Sequence, residues 1–329
     1  MLRSLPWPAI HTIDFPLIMA PMAGLTHGAF RRLTEEIAPF DLYFSEMISA
    51  GPLTSRGRFE EYYLDDFPSA DRLVYQLVSP RADLLLSAAR RIALSEPAGI
   101  DINFGCSAPE IVRNGGGIAW LRRPEEALAA LKAVAEAIAP TPLSVKLRLP
   151  NGFEERRFLD FLIALKEVQV AAVTLHPRFQ KQSYSRPAHR SILRRLAPES
   201  PLPLVASGDV TDSPSFEAYR SMAGVDGVMI GRGAVANPWI SRDIRSPGED
   251  PGGGSAEERL RVAERFFAYL EAHQPPEFWV SRSRRFLNYY LPALPFGRRV
   301  AAQLQEEREY HAIKTEALSS LRRRVEVSV

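Results

Sequence analysis

The chain has 329 residues, 46% of them hydrophobic and 24% charged, and a formal net charge of +2. These are the proportions of an ordinary globular chain, with no apolar run near the roughly 20 residues that cross a bilayer and no net charge that marks a nucleic-acid binder. Its one cysteine excludes an internal disulfide and a multi-cysteine zinc site, and residues 1–8 lack the apolar core of a secretion signal, so the expected compartment is the cytoplasm.

Taken in chain order, short apolar runs rich in strand formers predict strands at 17–21, 42–47, 72–78, 99–105, 143–149, 172–176, 203–208 and 227–232. None alternates strictly, as expected of parallel strands covered on both faces. Helical periodicity between them is clearest at 83–94, 125–139 and 154–168, the second opening with Pro124 in its first turn. Eight strand–helix units in roughly 230 residues predict a (β/α)8 TIM barrel over 1–245. A doubly wound sheet would carry three glycines after its first strand, whereas Pro21-Met22-Ala23-Gly24 has one. Residues 246–255 have the Pro, Gly and Ser content of a linker. Beyond it, helices at 256–273, 277–290, 298–310 and 312–324 predict a small C-terminal helical domain, 256–329. Its arginines cluster at Arg282, Arg284 and Arg285, at Arg298 and Arg299, and at Arg322, Arg323 and Arg324. Such runs are most often solvated helix faces.

Chemistry in a barrel gathers at the C-terminal ends of its strands. Those ends hold Pro21, Met22 and Ala23, then Gln76, then Asn103 and Cys106, then Lys146 and Arg148, then His176 with Arg178 beyond. The last two carry Ser207-Gly208-Asp209 and Gly231-Arg232-Gly233, glycine turns of the kind that hold phosphate in barrels. Singly, each has a plain reading. A lone cysteine is most often a buried hydrophobe, His176 fits a hydrogen-bonded core, Lys146 fits a structural ion pair, and Gln76 is a buried amide in need of partners. Together on one ring, they predict a site for a phosphorylated ligand beside a lysine, a histidine and a thiol.

In this order the segments resemble the tRNA-dihydrouridine synthase family. The resemblance runs from about residue 18 to 240 through Ala20-Pro21-Met22-Ala23-Gly24-Leu25-Thr26 with Phe30-Arg31, Ser45-Glu46-Met47, Gln76-Leu77, and Asp101-Ile102-Asn103-Phe104-Gly105-Cys106 with Gly117. It continues through Val145-Lys146-Leu147-Arg148, His176-Pro177-Arg178 with Tyr184, Gly208-Asp209 and 228–234. The resemblance implies an FMN enzyme that reduces uridine in tRNA to 5,6-dihydrouridine, with NADPH as reductant, hydride passing from flavin N5 to uracil C6 and a proton from Cys106 to C5. By the same resemblance Pro21, Met22 and Ala23 line the flavin, and Gln76, Lys146 and His176 contact its ring or ribityl chain. Ser207, Gly208, Asp209, Gly231 and Arg232 surround its phosphate, and Asn103, Arg178 and Tyr184 face the substrate. In the tail, which echoes the family's helical domain more loosely, Arg282 and Arg285 are expected to grip tRNA phosphates. The expected partner is tRNA, with no membrane, metal or protein partner.

The chain departs from the family pattern at Ser107, where proline usually follows the cysteine, at Ser207, usually asparagine, and at Pro177, usually glycine. Two other readings compete: an FMN barrel acting on a small molecule, in the manner of dihydroorotate dehydrogenase, and an RNA-binding protein that has kept the barrel without its reaction. The arginine-rich tail weighs against the first, and the joint presence of Cys106, Lys146 and His176 against the second.

Overall fold

The structure, a computed structural model, describes residues 3–55, 57–247 and 254–328. Its strands are β1 (Leu17–Met19), β2 (Leu42–Phe44), β3 (Ile48–Ser49), β4 (Leu73–Val78), β5 (Gly99–Phe104), β6 (Leu143–Leu149), β7 (Ala172–Phe179), β8 (Leu204–Ser207) and β9 (Gly227–Ile230). All pairings are parallel. β1 pairs with β2, β2 with β4, each later strand with the next, and β9 with β1, which closes an eight-stranded ring. Helices lie between the strands, so the fold is a (β/α)8 barrel followed by C-terminal helices. The ninth strand, β3, is a two-residue addition paired to β4. The predicted strand 42–47 stops at Phe44, although Ser45 still bonds β4, its N donating to Val74 O at 2.9 Å and its Oγ accepting from Gln76 N at 3.0 Å.

The two-residue strand period sorts side chains between two cores. Ile18, Leu42, Phe44, Val74, Ala172, Val205 and Met229 point inward and pack on Leu5, Trp7 and Ile10. The N-terminal segment thus plugs the floor of the barrel, with the Trp7 ring edge-on to Phe44 at 5.8 Å. Gly99 permits this approach, since a Cβ there would lie 2.7 Å from Trp7 Nε1. Leu17, Met19, Tyr43 and Tyr75, one position out of phase, face the helices and join the outer core. Higher in the barrel the inward positions become polar: Gln76, Asp101 and Ser144 are all fully buried.

The tail contains helices Ala256–His273, Pro276–Tyr290, Gly297–Glu306 and Tyr310–Ser328. The first starts on a capping box between Ser255 and Glu258. The predicted third helix, 298–310, ends early, where the Glu307 carbonyl accepts a hydrogen bond from Arg284 Nη2. Of the predicted linker 246–255, residues 248–253 lie outside the described residues. The tail docks on helix Gly28–Ile37 through aromatic rings: Phe266 stacks on Phe286 at 3.8 Å and 11°, and Phe30 meets Phe286 at 6.3 Å. Among the described residues no helix is long and apolar enough to cross a membrane.

Candidate active site

A cleft of about 530 Å³ opens at the C-terminal ends of the strands, within the range of small-molecule sites. Its walls include Pro21, Met22 and Ala23 from the β1 turn, Gln76, Asn103 and Cys106 from β4 and β5, and Lys146, Arg148 and His176 from β6 and β7. Ser207, Gly208, Asp209, Gly231 and Arg232 close the opposite side, Tyr184 reaches in from the loop after β7, and Arg285 and Tyr289 from the tail. Strand ends more than a hundred residues apart in sequence converge on one space.

Cys106 is half-buried and lies just past β5. Its backbone is held from below by Asn103, whose Oδ1 accepts from Cys106 N at 2.7 Å and from Gly105 N at 3.1 Å. Asn103 Nδ2 donates to Gln76 Oε1 at 2.8 Å, and Gln76 Nε2 to Asp101 Oδ2 at 2.7 Å. Asn103 therefore has its oxygen fully engaged by the loop and serves to hold Cys106. It also lines the cleft, where it is expected to face the substrate. Gly117, at φ +58°, is required on the other side, because a Cβ there would come within 2.5 Å of Cys106 O. Ser107 accepts from Arg148 Nη1 at 2.8 Å, and Arg148 Nη2 donates to Gln182 O at 2.7 Å. Ser107 thus gives the thiol loop a side-chain tether to β6 and to the loop after β7.

Lys146 and Asp101 carry opposite charge inside the barrel. Burial pushes the Lys146 ammonium down to about 8, against the pull of Asp101. Burial pushes the Asp101 carboxyl up to about 6, opposed by hydrogen bonds from Gln76 and Ser144 and by the charge of Lys146. Lys146 makes no hydrogen bond or ion pair among the described residues, and the hydroxyl of Thr174, its register neighbour on β7, is buried with no partner. A half-buried cation and a buried hydroxyl left incomplete side by side are what a cleft looks like when it is built around an anionic, hydrogen-bonding ligand. The residues present therefore fit a flavin, and Lys146 would face the part of it that carries negative charge.

The register between β6 and β7 jumps from Arg148↔His176 to Leu149↔Phe179, so Pro177 and Arg178 form a bulge. A proline cannot donate to the ladder, which suits it to that irregularity. The bulge sends Arg178 inward. Its Nη1 donates to His176 Nε2 at 2.6 Å, and its Nη2 reaches both Asp209 oxygens at 2.6 Å. A guanidinium only donates, so His176 carries its proton on Nδ1. Burial first, then the charges of Lys146, Arg178, Arg148 and Arg232, push His176 down to about 2, and the ring stays neutral at working pH. Arg178 is 1% exposed and absent from the cleft wall. Its expected contact with the substrate base is corrected to an orienting role under His176.

Asp209 is likewise engaged. Burial would raise its carboxyl, but hydrogen bonds from Arg178 and the Ala188 amide, with the charges of Arg178 and Arg232, hold it below the usual range. An ionised carboxylate repels phosphate, so Asp209 can contribute there only by its backbone and by orienting arginines. Its neighbour Gly208 stands at φ +117°, and a Cβ there would meet His176 Cδ2 at 2.7 Å. Gly233 is equally constrained, with Val210 O 2.1 Å from where a Cβ would be. Both glycine turns are therefore drawn tightly together, and the Ser207 hydroxyl between them has no partner among the described residues. Tyr184, 53% exposed, lies over the guanidiniums of Arg232, Arg148 and Arg178 at 4.5, 5.3 and 5.6 Å.

The two tail arginines separate. Arg285 reaches the cleft wall, with Nε 3.9 Å from where a Cβ on Gly24 would stand, and has no ion pair or hydrogen bond among the described residues. Arg282 is 2% exposed. Its Nη2 donates to Glu46 Oε1 at 2.7 Å, its Nη1 donates to Gln274 Oε1, and Glu46 Oε2 accepts from Gly24 N at 2.8 Å. Arg282 is thus a clamp between tail and barrel, which corrects its expected contact with tRNA. Sequence reasoning missed Glu46, Asp101 and Tyr289 as site residues. Asp101 carried a signal, since it precedes Asn103 by two positions in a strand and so shares its inward face.

The dihydrouridine synthase family pattern matches residues 18–326. A probable tRNA-dihydrouridine synthase of Aquifex aeolicus is 33% identical over 233 residues, which cover 70% of this chain and 72% of the relative. Probable tRNA-dihydrouridine synthase 1 of Synechocystis sp. is 27% identical over 296 residues, 89% of this chain and 82% of the relative. Among solved structures, histamine dehydrogenase from Rhizobium sp. superposes with a TM-score of 0.54 at 13% identity, over 77% of this chain and 49% of that one, a likeness of fold.

Proposed function

The chain belongs to the dihydrouridine synthase family, flavin-dependent oxidoreductases that reduce uridine in tRNA, and from that premise we propose that it binds FMN in the barrel mouth, is reduced by NADPH, and converts uridine to 5,6-dihydrouridine with Cys106 as acid. The observation that carries the reading is a lone thiol, and an ammonium with no hydrogen bond or ion pair among the described residues, on the walls of one cleft. When bound, the flavin supplies the hydride that the uracil ring receives at C6.

The rest falls to the chain's own residues. Pro21, Met22 and Ala23 wall the cofactor, and Lys146 fixes a positive charge beside it, in place before the reaction starts. Neutral His176, with its proton on Nδ1, offers a donor that does not add to the local positive charge. The backbone of Ser207, Gly208 and Gly231, with Arg232, holds the phosphate. Cys106 Sγ gives its proton to uracil C5, a role that needs the thiol rather than the thiolate. The base has to leave its stack to enter, and Tyr184 at the rim offers a ring to receive it. Residues 256–329 act as the tRNA-recognition domain, with Arg285 as the phosphate contact nearest the reacting groups.

The experiment is purification of the protein as its flavin complex, followed by assay on unmodified tRNA. The expected result is a yellow protein that releases FMN, and a Cys106→Ala variant that keeps FMN but loses roughly 10²–10⁴-fold in uridine reduction. A colourless preparation that rejects added FMN, or Cys106→Ala at full turnover, overturns the reading.

A further inference from the structure

We propose that Asp101 is a positioning residue, the fixed acceptor at the foot of a one-way hydrogen-bond ladder that sets the amide orientations of Gln76 and Asn103 and so the height of Cys106 over the cleft. The inference rests on the reading of Cys106 as the proton donor.

The direction of the ladder follows from donor and acceptor chemistry alone. At its top stand two backbone N–H groups, Gly105 and Cys106, which can only donate, so Asn103 has to present its oxygen upward and its nitrogen downward. Gln76 then has to offer its oxygen to Asn103 and its own nitrogen below. The group under Gln76 has to accept, and Asp101 does so with Oδ2, while Oδ1 accepts from Ser144 Oγ at 2.7 Å. If the Gln76 amide reversed, nitrogen would face nitrogen above and oxygen would face the carboxylate below. Both amides thus have one permitted orientation, fixed from above by the loop and from below by the charge.

The geometry has no slack. Gln76, Asp101 and Ser144 are register neighbours on β4, β5 and β6, and all three are fully buried. Asn103 sits one inward layer higher, beside Lys146. A buried carboxylate is costly to keep. Here it accepts a hydrogen bond on each oxygen and lies in the field of the ammonium that lines the same cleft. Without it, the lower constraint on Gln76 disappears, the amide can turn, and Asn103 loses the partner that keeps its oxygen under the thiol loop.

The chain's single cysteine gives a direct readout, the rate of Cys106 alkylation by iodoacetamide in the flavin-bound protein without tRNA, read beside kcat and KM for tRNA reduction. Asp101→Ala is expected to speed alkylation by about tenfold and to lower kcat by a similar factor, with KM for tRNA within about twofold of the parent. Asp101→Asn, which keeps an acceptor oxygen for Gln76, is expected to restore most of both. Gln76→Met cuts the same ladder one rung higher with Asp101 intact, and is expected to reproduce the faster alkylation even if Asp101→Ala does not fold. Parental alkylation in Gln76→Met, or Asp101→Asn as damaging as Asp101→Ala, overturns the proposal. Because alkylation needs no turnover, a parent protein that makes no dihydrouridine would sink the proposed function while the ladder was still judged on its own.

Discussion

The floor and the mouth of the barrel are made from inward positions of the same eight strands, and they solve opposite problems. At the floor, Ile18, Leu42, Val74 and Val205 close on Trp7 with nothing exposed. Two or four residues further along the strands, Lys146, Thr174 and Ser207 have polar groups with no hydrogen-bond partner among the described residues. One strand therefore carries stability at one end and chemistry at the other, and the site inherits its rigidity from a core it does not touch. The same division appears within the tail, where Arg282 is buried in an ion pair with Glu46 and Arg285, three residues on, reaches the cleft with no ion pair or hydrogen bond among the described residues.

The contrast can be broken or sharpened by four substitutions. Arg282→Ala strands Glu46 as a buried carboxylate, and a loss of about 3–5 kcal/mol in unfolding free energy is expected by denaturant titration. Trp7→Ala empties the floor and should cost roughly 3–5 kcal/mol, with turnover per folded molecule unchanged; a fall in turnover at full stability would dissolve the division between floor and mouth. Lys146→Met should do the reverse, abolishing reduction while stabilising the flavin-free protein by about 1–3 kcal/mol. The sign follows from a folded value of about 8 against an ordinary 10.5. Below pH 8 the folded chain keeps a partly desolvated charge, so the gain is full there and fades as pH rises towards 10.5, a trend that thermal melts across that window measure. Arg285→Ala should have the smallest effect, about 1 kcal/mol in tRNA affinity and a reduction of about one in the salt slope, with melting unchanged.

The barrel was legible because eight apolar runs at similar spacing have few other uses, and the cleft because strand ends in such a barrel share one face. What escaped were contacts that depend on how layers dock. Arg282 and Arg285 share a helix face by spacing, but only the docked tail shows that one points at Glu46 and the other at the cleft. Asn103 and Arg178 have the right chemistry for substrate, and their partners, the Cys106 amide and Asp209, come from loops whose paths a linear pattern does not encode. β3 and the Trp7 plug were missed for a simpler reason, since a two-residue strand has no periodicity and a lone tryptophan in a proline-rich segment gives no sign of where it lands.

The bridge from Gly24 through Glu46 to Arg282 has a bearing on how target choice can be altered. The cleft loop that holds Gly24 and the helix that carries Arg285 both bond to one carboxylate, Glu46. A chimera that exchanges everything after residue 255 for another tail has to bring an arginine to that spot, or the donor part will tilt and the turn at Gly24 will slacken with it. Under the proposed function, selectivity for RNA and hold on the flavin would be inherited together.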